Sequence, residues 1–289
     1  MARELVRKYL KLIEPDLVAQ RLANRLVRCT FYAAGVNHFW AMDQHDKWLR
    51  FGLHWHGCIE GFTGKIIWLT VWWNNANPKY VCAQYLKAVR QFGVFIYIIT
   101  FFVDLPDNKY IGAPCVTQSD RGTENFNVAY AHTHIRHSLD ATLVGSIQHQ
   151  WKYGHTNVKP EQMWSRFRKT WVPGFERLLD EGIKRQWYDI INITDRCVAI
   201  YDRIWTVLTH HAYLGIPERL VFRWLAIPWL QREADSYVYG HNTSRRMPTR
   251  HNVLPSGVPD VIFENPESFD ALDFKVHQHP TSNEEWWPY

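Results

Sequence analysis

Apolar positions in this chain change period several times, and the changes mark out its elements. Leu5, Tyr9, Leu10 and Ile13 recur at helical spacing, Pro15-Asp16 interrupts them, and Val18, Leu22 and Leu26 resume. This predicts a broken helix over 3–29. Arg21, Arg25 and Arg28 share another face, which is either a solvated face or a contact for backbone phosphates. From 38 to 73 the pattern turns strand-like. Phe39 to Asp43 is a short apolar run ending in a carboxylate. Arg50 to Ile59 alternates, with His54 and His56 on one face and Leu53, Trp55 and Gly57 on the other. Glu60 to Gly64 carries turn residues, and Lys65 to Trp73 is rich in β-branched and aromatic residues. Three strands with short turns predict an antiparallel meander. The Trp72-Trp73 pair reads as core rather than as a stacking platform.

A helix is then predicted from Asn77-Pro78, with Val81, Tyr85, Ala88 and Phe92 on one face. Residues 94–103 read as a strand, 104–112 as a polar loop and 113–119 as another strand, with Asp120 at its end. A helix begins near Glu124 and a strand spans Gly145 to Tyr153. The next helix starts near Asn157 or Lys159, with Pro160 and Glu161 in its first turn. Trp164, Phe167, Trp171, Phe175 and Leu178 form its apolar stripe, and a kink is expected at Pro173-Gly174. Two further helices are predicted over 195–213 and 217–239, the second perturbed by Pro228. From Gly240 the chain is polar and rich in His and Pro, and it reads as a mostly irregular tail. The organisation expected is an N-terminal helical segment (1–35), an α/β core (36–182), a helical extension (183–240) and a tail (241–289).

Composition narrows the class. Hydrophobic residues make up 46% of the 289, which argues against a disordered chain. The 15 Trp, 14 Tyr and 15 Phe serve thick cores and interfaces without identifying a ligand. A net charge of +5 is a mild excess, compatible with a polyanionic partner and with many ordinary enzymes. The five cysteines (Cys29, Cys58, Cys82, Cys115, Cys197) are odd in number and never spaced C-x-x-C. That argues against a disulfide scaffold or a Cys₄ zinc module and fits a reducing compartment. His54 and His56 have a spacing zinc can use, but no further ligands are placed nearby. The long apolar run, Gly93 to Val103, is too short to span a bilayer, so no membrane partner is expected.

The candidate chemistry lies in three carboxylates. Asp43 and Asp120 end predicted strands and Glu161 opens a helix. Oxygen donors suit Mg²⁺ or Mn²⁺, which assist in-line displacement at phosphorus. With 28 acids in the chain, three scattered ones carry little weight alone. The surrounding strings carry more. Trp40-Ala41-Met42-Asp43-Gln44-His45-Asp46-Lys47-Trp48, His56-Gly57-Cys58-Ile59-Glu60-Gly61-Phe62-Thr63 and Gln118-Ser119-Asp120-Arg121-Gly122-Thr123-Glu124-Asn125 occur in this order. Tyr153-Gly154-His155-Thr156-Asn157 and Glu161-Gln162-Met163-Trp164 follow them. Together, over residues 36–240, they resemble the integrase core domain of eukaryotic transposon-derived proteins, which is similar in fold to retroviral and retrotransposon integrases. The Asp-Arg-Gly-Thr-Glu-Asn string is the most specific.

That resemblance implies an RNase H-like α/β fold: a five-stranded mixed sheet flanked by helices, with a helical C-terminal extension. It implies Asp43, Asp120 and Glu161 as catalytic residues and Mg²⁺ (or Mn²⁺) ligands, DNA as partner and substrate, a homo-oligomer, and a nuclear location. Lys47, Lys159, Arg166, Arg168 and Lys169 become candidates for DNA backbone phosphates, against the alternative of solvated lysines and arginines. Glu124 and Asn125 either support the loop behind Asp120 or cap the following helix. The chain departs from the family pattern at Gln44 (usually Gly), Glu60 (often Asp), Gly64 (basic) and Lys159-Pro160 (Arg-Ile). The stretch from Tyr153 to Glu161 is about two residues short, and 94–112 reads as an insertion. These departures keep a second expectation open, a domesticated, catalytically inactive integrase fold that binds DNA or protein.

Overall fold

The computed structural model describes residues 2–23, 31–74, 76–93, 112–185, 216–247 and 254–277. Described residues up to Tyr32 belong to one compact unit and those from Ala33 onward to another. The first unit holds α1 (Ala2–Ile13) and α2 (Pro15–Ala23). The predicted break falls between them. Pro15 opens α2, where a missing N–H costs little. Arg25, Arg28, Cys29 and the rest of that predicted helix lie outside the described residues, as do Cys197, the run 94–103 and the helix expected over 195–213.

The second unit is built on a five-stranded sheet of β1 (Phe39–His45), β2 (His54–Glu60), β3 (Ile66–Trp72), β5 (Val116–Asp120) and β6 (His149–Lys152). The order is β3-β2-β1-β5-β6. The first three strands form the predicted antiparallel meander, and β5 and β6 run parallel to β1 and to each other. The sheet is therefore mixed, as the resemblance implied. Successive side chains face opposite sides. On one side Trp40 meets Tyr85 of α3 (Pro78–Gly93) edge to face at 6.4 Å, and Trp72 stacks on Tyr80 at 4.9 Å. On the other side Gly57 faces α5 (Val158–Thr170). The outer edge of β3 is satisfied by side chains of α7 (Ile216–Thr243). Gln231 bonds Val71 N and Leu69 O, and Asn242 bonds Ile66 N and O. An open strand edge is thereby closed to further pairing.

Several boundaries differ from the sequence reading. β1 continues two residues past Asp43, because Gln44 and His45 still pair with His56 and Trp55. Leu49–Phe51 is a 3₁₀ turn closed by Gly52 at φ 65°, so β2 starts only at His54. The strand expected over 113–119 is split at Pro114, which has no N–H to give a ladder. Gly112–Ala113 (β4) pairs instead with Val276–His277 (β7). The helix expected to kink at Pro173 is two helices, α5 and α6 (Val172–Lys184), with Pro173 in the first turn of the second. α4 (Phe126–Leu139) starts after a 3₁₀ turn over Thr123–Asn125.

The C-terminal segment is not the irregular tail expected. α7 runs to Thr243, α8 spans Pro259–Glu264, and Leu254, Ile262, Phe263 and Ala271 are buried. Asn37, held at φ 56°, donates from Nδ2 to Asp273 at 2.9 Å and accepts from the Trp40 indole at 2.9 Å. Pro255, Gly257 and Pro259 interrupt the apolar residues from Leu254 to Phe263, so no period shows there.

Part of the aromatic content gathers in one cluster. Trp48, Trp55 and Phe167 are wholly buried, Trp171 stacks on Phe167 at 4.8 Å, and Phe175 stacks on Trp171 at 4.0 Å. This fastens the β1–β2 connection to α5 and α6. Trp72 and Trp73 do not join the core as expected: they stack at the sheet's edge, and Trp73 is 43% exposed.

Candidate active site

The parallel pairing of β1 with β5 sets Met42 opposite Ser119, so the next residues, Asp43 and Asp120, leave neighbouring strands at the same end of the sheet. Asp43 is half-buried on the α5 side, opposite Gly57. Its carboxyl is pushed up to about 7. Burial is the main cause, followed by the negative charge of Asp120 and more weakly that of Glu161. The backbone N–H of Gln44 and the indole N–H of Trp164 pull in the opposite direction, the latter donating to Asp43 Oδ2 at 3.1 Å.

Glu124 and Asn125 sit behind the loop that follows Asp120, and both are buried. Asn125 Nδ2 donates to the Asp120 carbonyl at 3.3 Å and to Glu124 Oε1 at 3.0 Å. Gln44 of β1 donates to the same Glu124 oxygen at 3.0 Å. A Cβ on Gly122 would lie 1.9 Å from Glu124 Oε1, so only glycine lets that carboxylate tuck beneath the loop. Asn125 makes no side-chain cap for α4. On the outer side, His149 of β6 bonds Thr117 at 2.8 Å and Ser119 at 3.0 Å, tying β6 to the strand that ends in Asp120.

Glu161 stands exposed in the first turn of α5. The helix lies close against β2 because residue 57 has no side chain: a Cβ there would lie 2.5 Å from Met163 Cε and 3.2 Å from the Trp164 ring. His45 stacks on Trp164 at 5.0 Å. A cleft runs along this helix, lined by His45, Lys47, Glu161, Trp164, Arg168 and Lys169.

Three of the five predicted phosphate contacts, Lys47, Arg168 and Lys169, thus share a cleft with Glu161. Lys159 and Arg166 do not line it. Lys159 is lowered to about 8, mainly by burial, with the Glu60 carboxylate opposing that shift and Arg246 adding to it. Glu60 is fully buried and accepts from the backbone of Asn37, Phe62 and Thr63 and from the Thr63 hydroxyl. Arg166 is exposed, and its charge is felt by Tyr237, His241 and Arg246. The histidine pair is also accounted for. His54 bonds Asp46 at 3.0 Å, and His56, wholly buried, meets the Trp68 indole N–H at 3.0 Å.

In kind, the donor set suits a hard divalent cation: Asp43, Asp120 and Glu161 offer only carboxylate oxygens, and their charges converge on Asp43. Burial first, and then the like charges of Asp120 and Glu161, raise the Asp43 carboxyl. In geometry, no three His, Cys, Asp or Glu side chains among the described residues are assembled to hold a metal. Sequence reasoning placed Trp164 in an apolar stripe and gave no role to His45 or Gln44. Their spacing carried a signal: Trp164 shares a helix face with Glu161 at i+3, and His45 shares a strand face with Asp43 at i+2.

No curated protein matches the chain. Residues 30–100 match the model of a family described as integrase core domain, a stretch that includes Asp43 and ends before Asp120 and Glu161. Over that stretch the chain is similar to an integrase core domain, and its five-stranded mixed sheet flanked by helices has the architecture of the RNase H-like α/β fold.

Proposed function

We propose that the protein is a polynucleotidyl transferase or endonuclease acting on DNA phosphodiesters, with Asp43, Asp120 and Glu161 as catalytic residues. The observation that carries this reading is that the charges of Asp120 and Glu161 both reach Asp43, beside a cleft rimmed by Lys47, Arg168 and Lys169. Mg²⁺ or Mn²⁺ held by the three carboxylates would lower the pKa of an attacking water or DNA 3′-hydroxyl and neutralise charge at phosphorus. The chain's own residues do the positioning. Lys47, Arg168 and Lys169 offer cations to the DNA backbone. Trp164 holds one oxygen of Asp43 through its indole N–H. Gln44, Glu124 and Asn125 brace the loop behind Asp120. A homo-oligomer working in the nucleus belongs to the same reading.

The test is nicking and strand transfer on duplex DNA with Mg²⁺ or Mn²⁺. Activity that needs the metal and disappears in Asp120→Asn supports the proposal, and activity unchanged in that variant overturns the mechanism. A second reading, an inactive integrase fold that binds DNA or protein, is favoured by one observation: no ligating set of three is assembled among the described residues. Duplex DNA binding that persists without metal, in a protein with no cleavage activity, would decide for it.

A further inference from the structure

Asn157 ends the Tyr153–Asn157 string and immediately precedes α5, where an asparagine ordinarily turns its side chain to cap the helix. Here it makes no such cap. Its side chain is turned inward and the residue is 1% exposed. The carboxamide is fully engaged across the sheet. Nδ2 donates to the carbonyl of Met42 at 3.0 Å, and Oδ1 accepts from Gln118 Nε2 at 2.8 Å. Its backbone carbonyl accepts from the Glu161 N–H at 3.4 Å. Met42 is the residue before Asp43, and Gln118 lies two before Asp120. One buried residue therefore touches the backbone leading to the first carboxylate, the strand leading to the second, and the helical turn that carries the third.

We infer that Asn157 is the positioning residue of this site, setting the start of α5, and with it Glu161, at a fixed distance from Asp43 and Asp120. The inference rests on the functional reading above. A neutral carboxamide is suited to the task. It offers a donor to a carbonyl and an acceptor to an amide at once, which neither aspartate nor leucine does. Strand-borne acids have a ladder to hold them, whereas a helix-borne acid depends on how its helix is docked. The aromatic cluster clamps the far end of α5 at Phe167 and Trp171, and Asn157 holds the near end. Loss of a group bonded directly to a metal ligand ordinarily weakens metal binding by about 10- to 100-fold, and Asn157 acts one bond further out, through the backbone before Asp43 and the start of α5.

The experiment is Mn²⁺ titration by calorimetry on the full chain, with thermal melts of each variant. Wild type and Asp120→Asn come first: binding in the one that is lost in the other establishes the carboxylate site. Absence of binding in wild type sinks the functional reading, and the inference with it. Given a site, Asn157→Leu is expected to weaken Mn²⁺ by about 10-fold. Asn157→Asp, which keeps the acceptor and loses the donor, should fall between Asn157→Leu and wild type. Gln118→Leu should weaken binding too, and the double variant should lose no more than the worse single one, since both act through one carboxamide. Leu230→Ala, a buried α7 change remote from the carboxamide, supplies a destabilised control with normal affinity. If Asn157→Leu and Asn157→Asp bind Mn²⁺ as wild type does while melting lower, like the control, Asn157 is merely structural and the inference is wrong.

Discussion

The site joins two kinds of support. Asp43 and Asp120 leave adjacent parallel strands in the middle of the sheet, and their place follows from ladder pairing. Glu161 leaves the first turn of a helix, and its place follows from packing: glycine at 57, the Trp164 indole on Asp43, and the Asn157 carboxamide. The strand-borne acid Asp43 is half-buried and electrostatically loaded, whereas the helix-borne acid is exposed. The strand thus fixes Asp43 at a cost in stability, whereas Glu161 comes from a docked helix and stands exposed. The two supports are expected to fail in different ways.

The largest expected contrast is between Asp43→Asn and Glu161→Gln. Both should abolish metal-dependent cleavage. Their effects on the metal-free fold should differ. The Asp43 carboxyl titrates near 7 when folded, against 3.8 in the reference state. A raised carboxyl binds its proton more tightly in the folded protein. Its stabilising contribution is full below about pH 4 and is lost as pH rises through 7. The penalty above that range is as much as ~4 kcal/mol, at about 1.36 kcal/mol per pKa unit. Asp43→Asn should therefore raise the Tm at pH 8 and flatten the decline between pH 4 and 7. Glu161→Gln, at an exposed position, should stay within about 0.5 kcal/mol of wild type. Equal melting of the two variants at pH 8 would erase the distinction between strand-borne and helix-borne acids.

Gly57→Ala tests the docking of the helix. The new methyl would lie 2.5 Å from Met163 Cε. Overpacking of this kind costs about 1–3 kcal/mol. Urea unfolding should show that loss, and cleavage should fall with it as Met163 and the Trp164 ring beside Asp43 are displaced. A fold that loses stability yet cleaves normally would show that Glu161 does not depend on close docking. Trp164→Phe is expected to act more gently. It keeps the ring against His45 and removes the N–H given to Asp43 Oδ2. The Asp43 carboxyl should rise further, moving the alkaline end of the stability decline to higher pH.

These contrasts also show where the sequence was informative. β1, β2 and β3 were legible because an apolar run, an alternating run and a β-branched, aromatic run follow one another between turn residues, and the Asp120 string was legible through its resemblance to integrase cores. Residues 254–277 were not legible, because their buried side chains are sparse and their strand is only two residues long. Lys159 was read as facing DNA from its place on the Glu161 helix. Two residues along a helix turn a side chain roughly 200°, and the structure directs it toward Glu60 rather than into the cleft. Asn157 was read only as a helix start, since capping by asparagine is the common local reason for it and its partners lie in β1 and β5, far along the chain.

That difference between Lys159 and the cleft residues gives the smallest effect and a clean way to measure it. Lys47 comes from the β1 side and Arg168 from α5, so the cleft draws cations from both supports. If each contacts a DNA phosphate, Lys47→Ala and Arg168→Ala should each lower the slope of log affinity against log salt by about 0.9. The weakening should be nearly independent of DNA sequence, because phosphates carry no base information. Lys159→Ala should leave the slope unchanged, since Lys159 does not line the cleft, although it removes a partner from the buried Glu60 and should lower the Tm. Fluorescence anisotropy with duplex DNA from 50 to 200 mM salt, on the order of the range where such slopes are steep, reads all three. A slope change in Lys159→Ala equal to that in Arg168→Ala would put the DNA path across the Glu60 side of α5 instead of along the cleft.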